Sequence, residues 1–314
     1  MVMKILAHIH THNAEDVIGR SLTAVLSQTA RPQAVLLVDN ASTDKTLARS
    51  FPPDVIVIRN AKNIGATGAV KTGLEYALAN HYEWLWVLDY DSQPHRDALE
   101  QLIGLYESFD NNVRKSIGVL ASSHVLVPPK KMFYGRRLTS IGPYYPKMKP
   151  GFDYHEVDTT LWSGSLFNLQ AMRHVGLPRA GKEGIWEDLA MDYGDVEFHF
   201  RIRQAGYKVI VHRKSLIDHP VGRAKVLIRI FGMELLTTNH SPLRRYLFFR
   251  NLVYFWIHVY PSKYLAGSLL YIAYKFTNQA FLILVGETSR AAKIKACFRG
   301  VVDGLFKNLF RSYP

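Results

Sequence analysis

The sequence predicts an α/β fold: a mostly parallel sheet flanked by helices, with a C-terminal helical region behind it. Three observations carry this reading. Short apolar runs alternate with helical periodicity through residues 4–109, polar clusters follow the apolar runs, and the chain turns aromatic and basic from about residue 224.

In order, residues 4–10 read as a strand, 14–28 as a helix, 34–39 as a strand and 44–50 as a short helix. Residues 55–59 read as the next strand, 67–80 as a helix, 84–88 as a buried strand and 96–109 as a helix. This βαβα order implies a sheet covered on both faces, with ligands beyond the carboxyl ends of its strands. Residues 118–221 are less regular, and Pro128, Pro129, Gly135, Gly142, Pro143, Pro146, Pro150 and Gly151 mark a long loop or lid. Within that region, 195–204 reads as a helix ending at Gly206, and 208–212 as a strand. The expected division is a catalytic domain over 1–222, with halves at about 1–117 and 118–222, and a basic aromatic helical region over 223–314.

With 314 residues and 48% hydrophobic composition, the chain is long enough to bury an enzyme-sized core. A single cysteine, Cys297, excludes an internal disulfide framework, and no Cys/His spacing suggests structural zinc. The opening apolar run, residues 5–9, is too short for a signal peptide and is interrupted by His8, so the expected compartment is the cytoplasm. The net charge of +13 is concentrated from Arg213 onward, which implies an anionic partner without choosing among phosphate, nucleic acid and lipid.

Four polar clusters fall at the expected active edge. His10-Thr11-His12-Asn13 follows the first strand; it suits a strand-to-helix turn with Asn13 near the N-cap, and equally a base-contacting segment. Asp39 opens the second cluster, 39–44, immediately after a buried strand, where a carboxylate reaches a nucleobase or ribose while Ser42, Thr43 or Asp44 caps a helix. The third is Asp89-Tyr90-Asp91: two carboxylates at alternate positions suit one hard divalent cation, or else a turn and N-cap before Pro94. The fourth runs from Glu187 and Asp188 through Asp192, Asp195 and Glu197 to Arg201; its carboxylates either complement a helix N-terminus or supply a general base.

Taken in this order, the clusters resemble the inverting family 2 glycosyltransferases, which have the GT-A (Rossmann-like) fold, over residues 4–222. The resemblance implies that His10, Thr11, His12, Asn13 and Asp39 hold the nucleoside, and that Asn63, Gly65 and Gly68 border the donor. It implies a Mg²⁺ or Mn²⁺ site at Asp89 and Asp91, Asp91 being the direct ligand, and a donor-side loop at Trp162, Ser163 and Gly164. Asp195 matches the catalytic base, with Asp192 as second choice, and His219 matches a further metal ligand in some members or is a capped, solvent-facing histidine. Two departures bear on the base of the nucleotide: His12 stands where many members have Tyr or Phe, and Asn40 where many have a second Asp.

Residues 192–198 and 245–251 are most similar to bacterial rhamnosyltransferases and galactofuranosyltransferases. That ranks dTDP-rhamnose first and UDP-galactofuranose second as donor, with a glycan or polyprenyl-linked glycan as acceptor. The charges at Arg250, Lys263 and Lys275 argue against a membrane-spanning helix in 246–285. The same segment suits amphipathic helices on an anionic membrane, making the protein peripheral on the inner face of the cytoplasmic membrane, or helices packed on the catalytic domain and forming a homo-oligomer. Two other classes are weighed. A nucleotidyltransferase calls for a glycine- and basic-rich loop after the first strand, where this chain has His10 to Asn13; a non-enzymatic nucleic-acid or membrane binder is suggested by charge, but no nucleic-acid motif is present.

Overall fold

The computed structural model describes residues 3–127, 130–179, 192–220, 225–230 and 233–309. The first half alternates as expected: β1 (Ile5–Thr11), α1 (Ile18–Leu26), β2 (Ala34–Asp39), β3 (Val55–Arg59), α2 (Gly65–Ala79), β4 (Trp84–Asp89), β5 (Gln93–Pro94) and α3 (Ala98–Ser108). It continues with α4 (Asn111–Ser116), β6 (Ile117–Val127), β7 (Lys131–Phe133), β8 (Arg137–Thr139), β9 (Gly142–Tyr144), β10 (Tyr154–Val157), β11 (Ser165–Asn168), α5 (Leu169–Val175), α6 (Gly194–Gln204) and β12 (Lys208–Pro220). A hairpin, β13 (Lys225–Ile230) and β14 (Met233–Thr237), leads into α7 (Pro242–Tyr254), α8 (Leu265–Gly286) and α9 (Arg290–Leu305).

The central sheet runs β10-β12-β6-β11-β4-β1-β2-β3. Strands β4, β1, β2 and β3 are mutually parallel, whereas β11 enters antiparallel between β4 and β6. Side-chain alternation separates two cores. Ile5, Ala7 and Ile9 pack with Ile18, Leu22 and Leu102 on one face, and Leu6, Leu36 and Val87 pack with Leu74, Phe167 and Phe198 on the other. Helix α2 lies so close to β1 that a Cβ on Gly73 would sit 2.6 Å from the His8 ring, so this position needs glycine.

Several expectations are corrected. Helix 44–50 does not form, and α1 starts at Ile18 rather than Ala14. The physical cause is a set of competing side-chain bonds: Asp44 accepts from the Thr46 and Glu15 amides, and the Ala14 amide donates to Thr46 Oγ1 at 2.7 Å. Asn13, at φ 50°, therefore lies in the turn and is not a helix cap.

The region read as less regular, 118–221, contains two long strands of the sheet: β6, which is not among the expected elements, and β12, which extends the strand expected at 208–212 on to Pro220. Ser122, Ser123 and His124 interrupt the apolar pattern of β6, yet each is paired inside: Ser122 Oγ with Ser215 Oγ (2.6 Å), Ser123 Oγ donating to the His212 carbonyl (2.9 Å), and His124 Nε2 2.7 Å from the Ser163 carbonyl oxygen. Helices do not start near residue 224, because β13 and β14 come first. Lastly, Ser262–Gly286 is long and apolar enough to cross a membrane by length and composition, with mean hydropathy 1.3 over its best window. Lys275 alone does not break that window.

The C-terminal helices pack on the catalytic half. Leu252, Phe255, Trp256, Tyr260 and Tyr271 share a buried cluster with Val196 of α6.

Candidate active site

Strand β4 ends at Asp89, and the turn after it carries Asp91 and Ser92. The far end of β12 brings His219 alongside, so that one ligand atom from each of Asp89, Asp91 and His219 lies within 4.8 Å of the others. His10 Nε2, on the neighbouring strand β1, is 3.0 Å from Asp89 Oδ1, and Ser92 Oγ is 2.7 Å from His219 Nδ1. Burial pulls the Asp89 carboxyl upward, but the His10 hydrogen bond and the charges of His10, His219 and His124 outweigh it and hold it at about 2. Asp91 is raised instead, by burial and then by the negative charge of Asp89. Two carboxylates that repel one another, with an imidazole beside them as a third donor, fit a divalent cation of the Mg²⁺ or Mn²⁺ type, which relieves the repulsion between the carboxylates.

The segments expected at the nucleoside lie together at the ends of β1, β2 and β3. Asp39 is fully buried and accepts from Ser42 Oγ (2.5 Å) and the Ser42 amide (3.1 Å). His12 Nδ1 is 2.8 Å from the Asn40 carbonyl oxygen, and Asn13 Oδ1 accepts from the Thr43 amide at 2.8 Å. Asn63 Oδ1 accepts from the Gly65 amide at 2.8 Å, where Gly65 opens α2 at φ 71°. These side chains are engaged within the turns that follow the strands, with no helix for Ser42, Thr43 or Asp44 to cap. Thr11 is buried, and its hydroxyl has no partner among the described residues.

A cavity of about 300 Å³ opens beside the metal trio. Of the predicted site residues, Asp89, Trp162, Asp192, Asp195 and His219 line it, together with Ala66 and Thr67, which follow Gly65. Gly164, at φ 77°, turns the chain here: its amide donates to the Val87 carbonyl at 2.8 Å, and Ser163 Oγ accepts from the Asp89 amide at 3.3 Å. The loop is therefore tied to the end of β4, with Trp162 at the cavity wall. His10, Thr11, His12, Asn13, Asp39, Asn63 and Gly65 do not line this cavity, and Asp91 faces a neighbouring one with His219.

In the same cavity, Tyr193 adopts φ 71° and α6 begins at Gly194, which puts Asp195 in its first turn. Asp195 Oδ2 lies 3.6 Å from Arg136 Nη1. Burial raises the Asp195 carboxyl, and Arg136 and the Val196 amide only partly oppose it. Asp192 is pushed up to about 6, again by burial, with Arg244 opposing at 3.7 Å. Glu187 and Asp188 lie outside the described residues. Arg201 is anchored away from the cavity, on Glu197 (3.0 Å) and on the carbonyls of Val175 and Leu177.

Sequence reasoning missed Arg136, Arg244, Tyr145, Trp256, Tyr271 and Lys275, all of which line the cavity. Arg136, after Gly135, and Tyr145 lie in the segment read as a lid, and the others were read only as basic aromatic composition. A cation beside a glycine turn was the available signal for Arg136; the rest had none in local pattern.

Residues 7–149 match the family described as Glycosyl transferase family 2. The galactofuranosyltransferase GlfT1 of Mycolicibacterium smegmatis is 23% identical over 262 residues, spanning 79% of this chain and 81% of that protein. GlfT1 of Mycobacterium tuberculosis H37Rv is 22% identical over 260 residues, spanning 80% and 81%. The fold is shared with GalNAc-T7, solved with UDP, GalNAc and Mn²⁺, at TM-score 0.62 and 14% identity; the match covers 97% of this chain and 56% of that chain. It is shared also with Staphylococcus aureus TarS 1–349 in complex with UDP-GlcNAc, at TM-score 0.59 and 15% identity, covering 96% and 81%.

Proposed function

Since this chain is an inverting, metal-dependent glycosyltransferase of the family 2, GT-A type, we propose that it transfers a galactofuranosyl or related hexosyl group from a UDP-linked donor to a hydroxyl of a glycan acceptor. The observation that carries this reading is one cavity lined both by Asp89 and His219 of the metal trio and by Asp195 at the start of α6. The relatives reported above favour galactofuranose over rhamnose, which the sequence pattern ranked first. The UDP-bound neighbours of the same fold support a uridine nucleotide.

In this reading Asp89, Asp91 and His219 hold Mg²⁺ or Mn²⁺, which when bound neutralises the charge of the departing diphosphate. His10 keeps Asp89 ionised and oriented. Asp195 takes the proton from the acceptor hydroxyl as that oxygen attacks the anomeric carbon from the face opposite the nucleotide, and one displacement inverts the configuration. Arg136 favours the ionised form of Asp195 before attack. The loops bearing His10 to Asn13, Asp39, Asn63 and Gly65 border the nucleoside, and Trp162 stacks on a sugar face. The enzyme works at the inner surface of the cytoplasmic membrane as a peripheral protein, on a glycan or lipid-linked glycan.

Equilibrium binding of UDP-galactofuranose, UDP-glucose, UDP-GlcNAc and dTDP-rhamnose, each with Mn²⁺ and then with chelator, tests the donor. UDP-galactofuranose is expected to bind tightest, and only with metal. Tighter dTDP-rhamnose binding would restore the first donor expectation, and binding unaffected by chelator would remove the metal from the reading.

A further inference from the structure

Helix α8 has two faces of different character. Its inner face is part of the active cavity: Tyr271 and Lys275 line it, and Tyr271 packs on Trp256 with ring centroids 5.1 Å apart. The helix is seated tightly at its start, where a Cβ on Gly267 would lie 1.7 Å from the Ser140 carbonyl oxygen. Its outer face is uncovered and mostly apolar, with Thr277 as the polar residue within it. Leu270 is 68% exposed, Tyr274 60%, Phe281 54% and Leu284 57%, and the spacing 270, 274, 281, 284 is one stripe along a 3.6-residue helix.

The charges around this stripe have one sign. From residue 262 to 309 the acidic side chains are Glu287 and Asp303, both buried, at 3% and 1% exposure. Glu287 is consumed by Arg245 and Lys293. Lys263 before α8, and Arg290, Lys295 and Lys307 on and after α9, are exposed. A segment that pairs an apolar stripe with exposed cations, and that carries no exposed carboxylate from 262 to 309, is complementary to acyl chains beneath anionic headgroups. An anionic lipid surface satisfies both features at once.

We infer that α8 lies flat on an anionic lipid surface, with its outer stripe in the acyl boundary and its inner face still forming the cavity wall. This rests on the membrane placement given above and names the element that makes the contact. Crossing the bilayer is a different arrangement: Ile272, Leu282 and Ile283 are buried in the protein, and α8 would have to leave them and Trp256 behind. The consequence is functional. A helix that touches lipid on one side and the cavity on the other holds the acceptor site at the headgroup level.

Flotation of the full chain with vesicles of equimolar phosphatidylglycerol and phosphatidylcholine, against phosphatidylcholine alone, tests this. The wild-type chain is expected to float with the anionic vesicles only. The double variant Leu270→Asp/Phe281→Asp is expected to float at least roughly tenfold less, and Arg290→Glu/Lys295→Glu to lose the anionic preference. Mn²⁺-dependent UDP binding, measured on the same samples, stays unchanged and reports that each variant is folded. Wild-type protein that floats with neither vesicle overturns both the contact and the membrane placement. Unchanged flotation of the double variant overturns the role of α8 alone. A wild-type dimer that the double variant converts to monomer in sedimentation assigns the stripe to a second copy and overturns the lipid contact.

Discussion

At the metal edge of the cavity Asp89 is held at about 2, whereas in the same cavity Asp192 is pushed up to about 6 and Asp195 is raised. Burial pushes all three carboxyls upward and is the largest influence on each, but at Asp89 the neighbours overcome it. Asp89 has His10 in close hydrogen-bond contact at 3.0 Å and His219 and His124 nearby, while Asp195 and Asp192 have the looser pairs with Arg136 and Arg244 at 3.6 and 3.7 Å. A metal ligand has to stay free of its proton, and a general base has to hold one once it has taken it. Under the proposed function, the lowered Asp89 suits the first task and the raised Asp195 the second.

The largest expected effect separates the two carboxylates on the base side. Asp195→Asn should lower turnover by about 10³-fold with metal and donor binding retained, while Asp192→Asn should cost less than about tenfold. A larger loss for Asp192→Asn would transfer the base role to Asp192. On the metal side, Asp91→Ala should abolish metal-dependent donor binding. His10→Gln, which touches the cation only through Asp89, should weaken Mn²⁺ binding roughly 10- to 100-fold. Titrating Mn²⁺ against both variants measures this, and equal affinities in wild type and His10→Gln would break the account of how Asp89 is tuned.

The smallest effect is a shift in pH dependence. A base with a raised pKa is protonated at low pH, so kcat/KM should rise with pH as Asp195 loses its proton. Arg136 favours the ionised form, so Arg136→Gln raises that pKa further and should move the rising limb to higher pH by roughly one unit. A limb that does not move would separate Arg136 from the base.

The parallel half of the fold was legible because its strands are written locally. Ala34 to Asp39 and Val55 to Arg59 are continuous runs whose ends the structure reproduces, and Asp89, Asp91 and Asp195 stand at the ends or starts of such elements. Residues 44–50 were misread as a helix because apolar spacing does not register the Asp44 and Thr46 side-chain bonds that close a turn there. Strand β6 was missed because Ser122, Ser123 and His124 look unsuited to a core until their partners on β12 and in the Ser163 loop are in place.

The sequence by itself determined the alternation of strands and helices, the polar clusters at the strand ends and the carboxylate pairs, since each depends on the spacing of neighbouring residues. Only the tertiary structure decided that His10 meets Asp89, that Arg136 faces Asp195, and that α8 closes the cavity with one face while leaving an apolar stripe on the other. Those contacts join residues far apart in the chain. Whether a carboxylate serves a cation or a proton depends on the charges within a few ångströms of it, and that distance is set by packing.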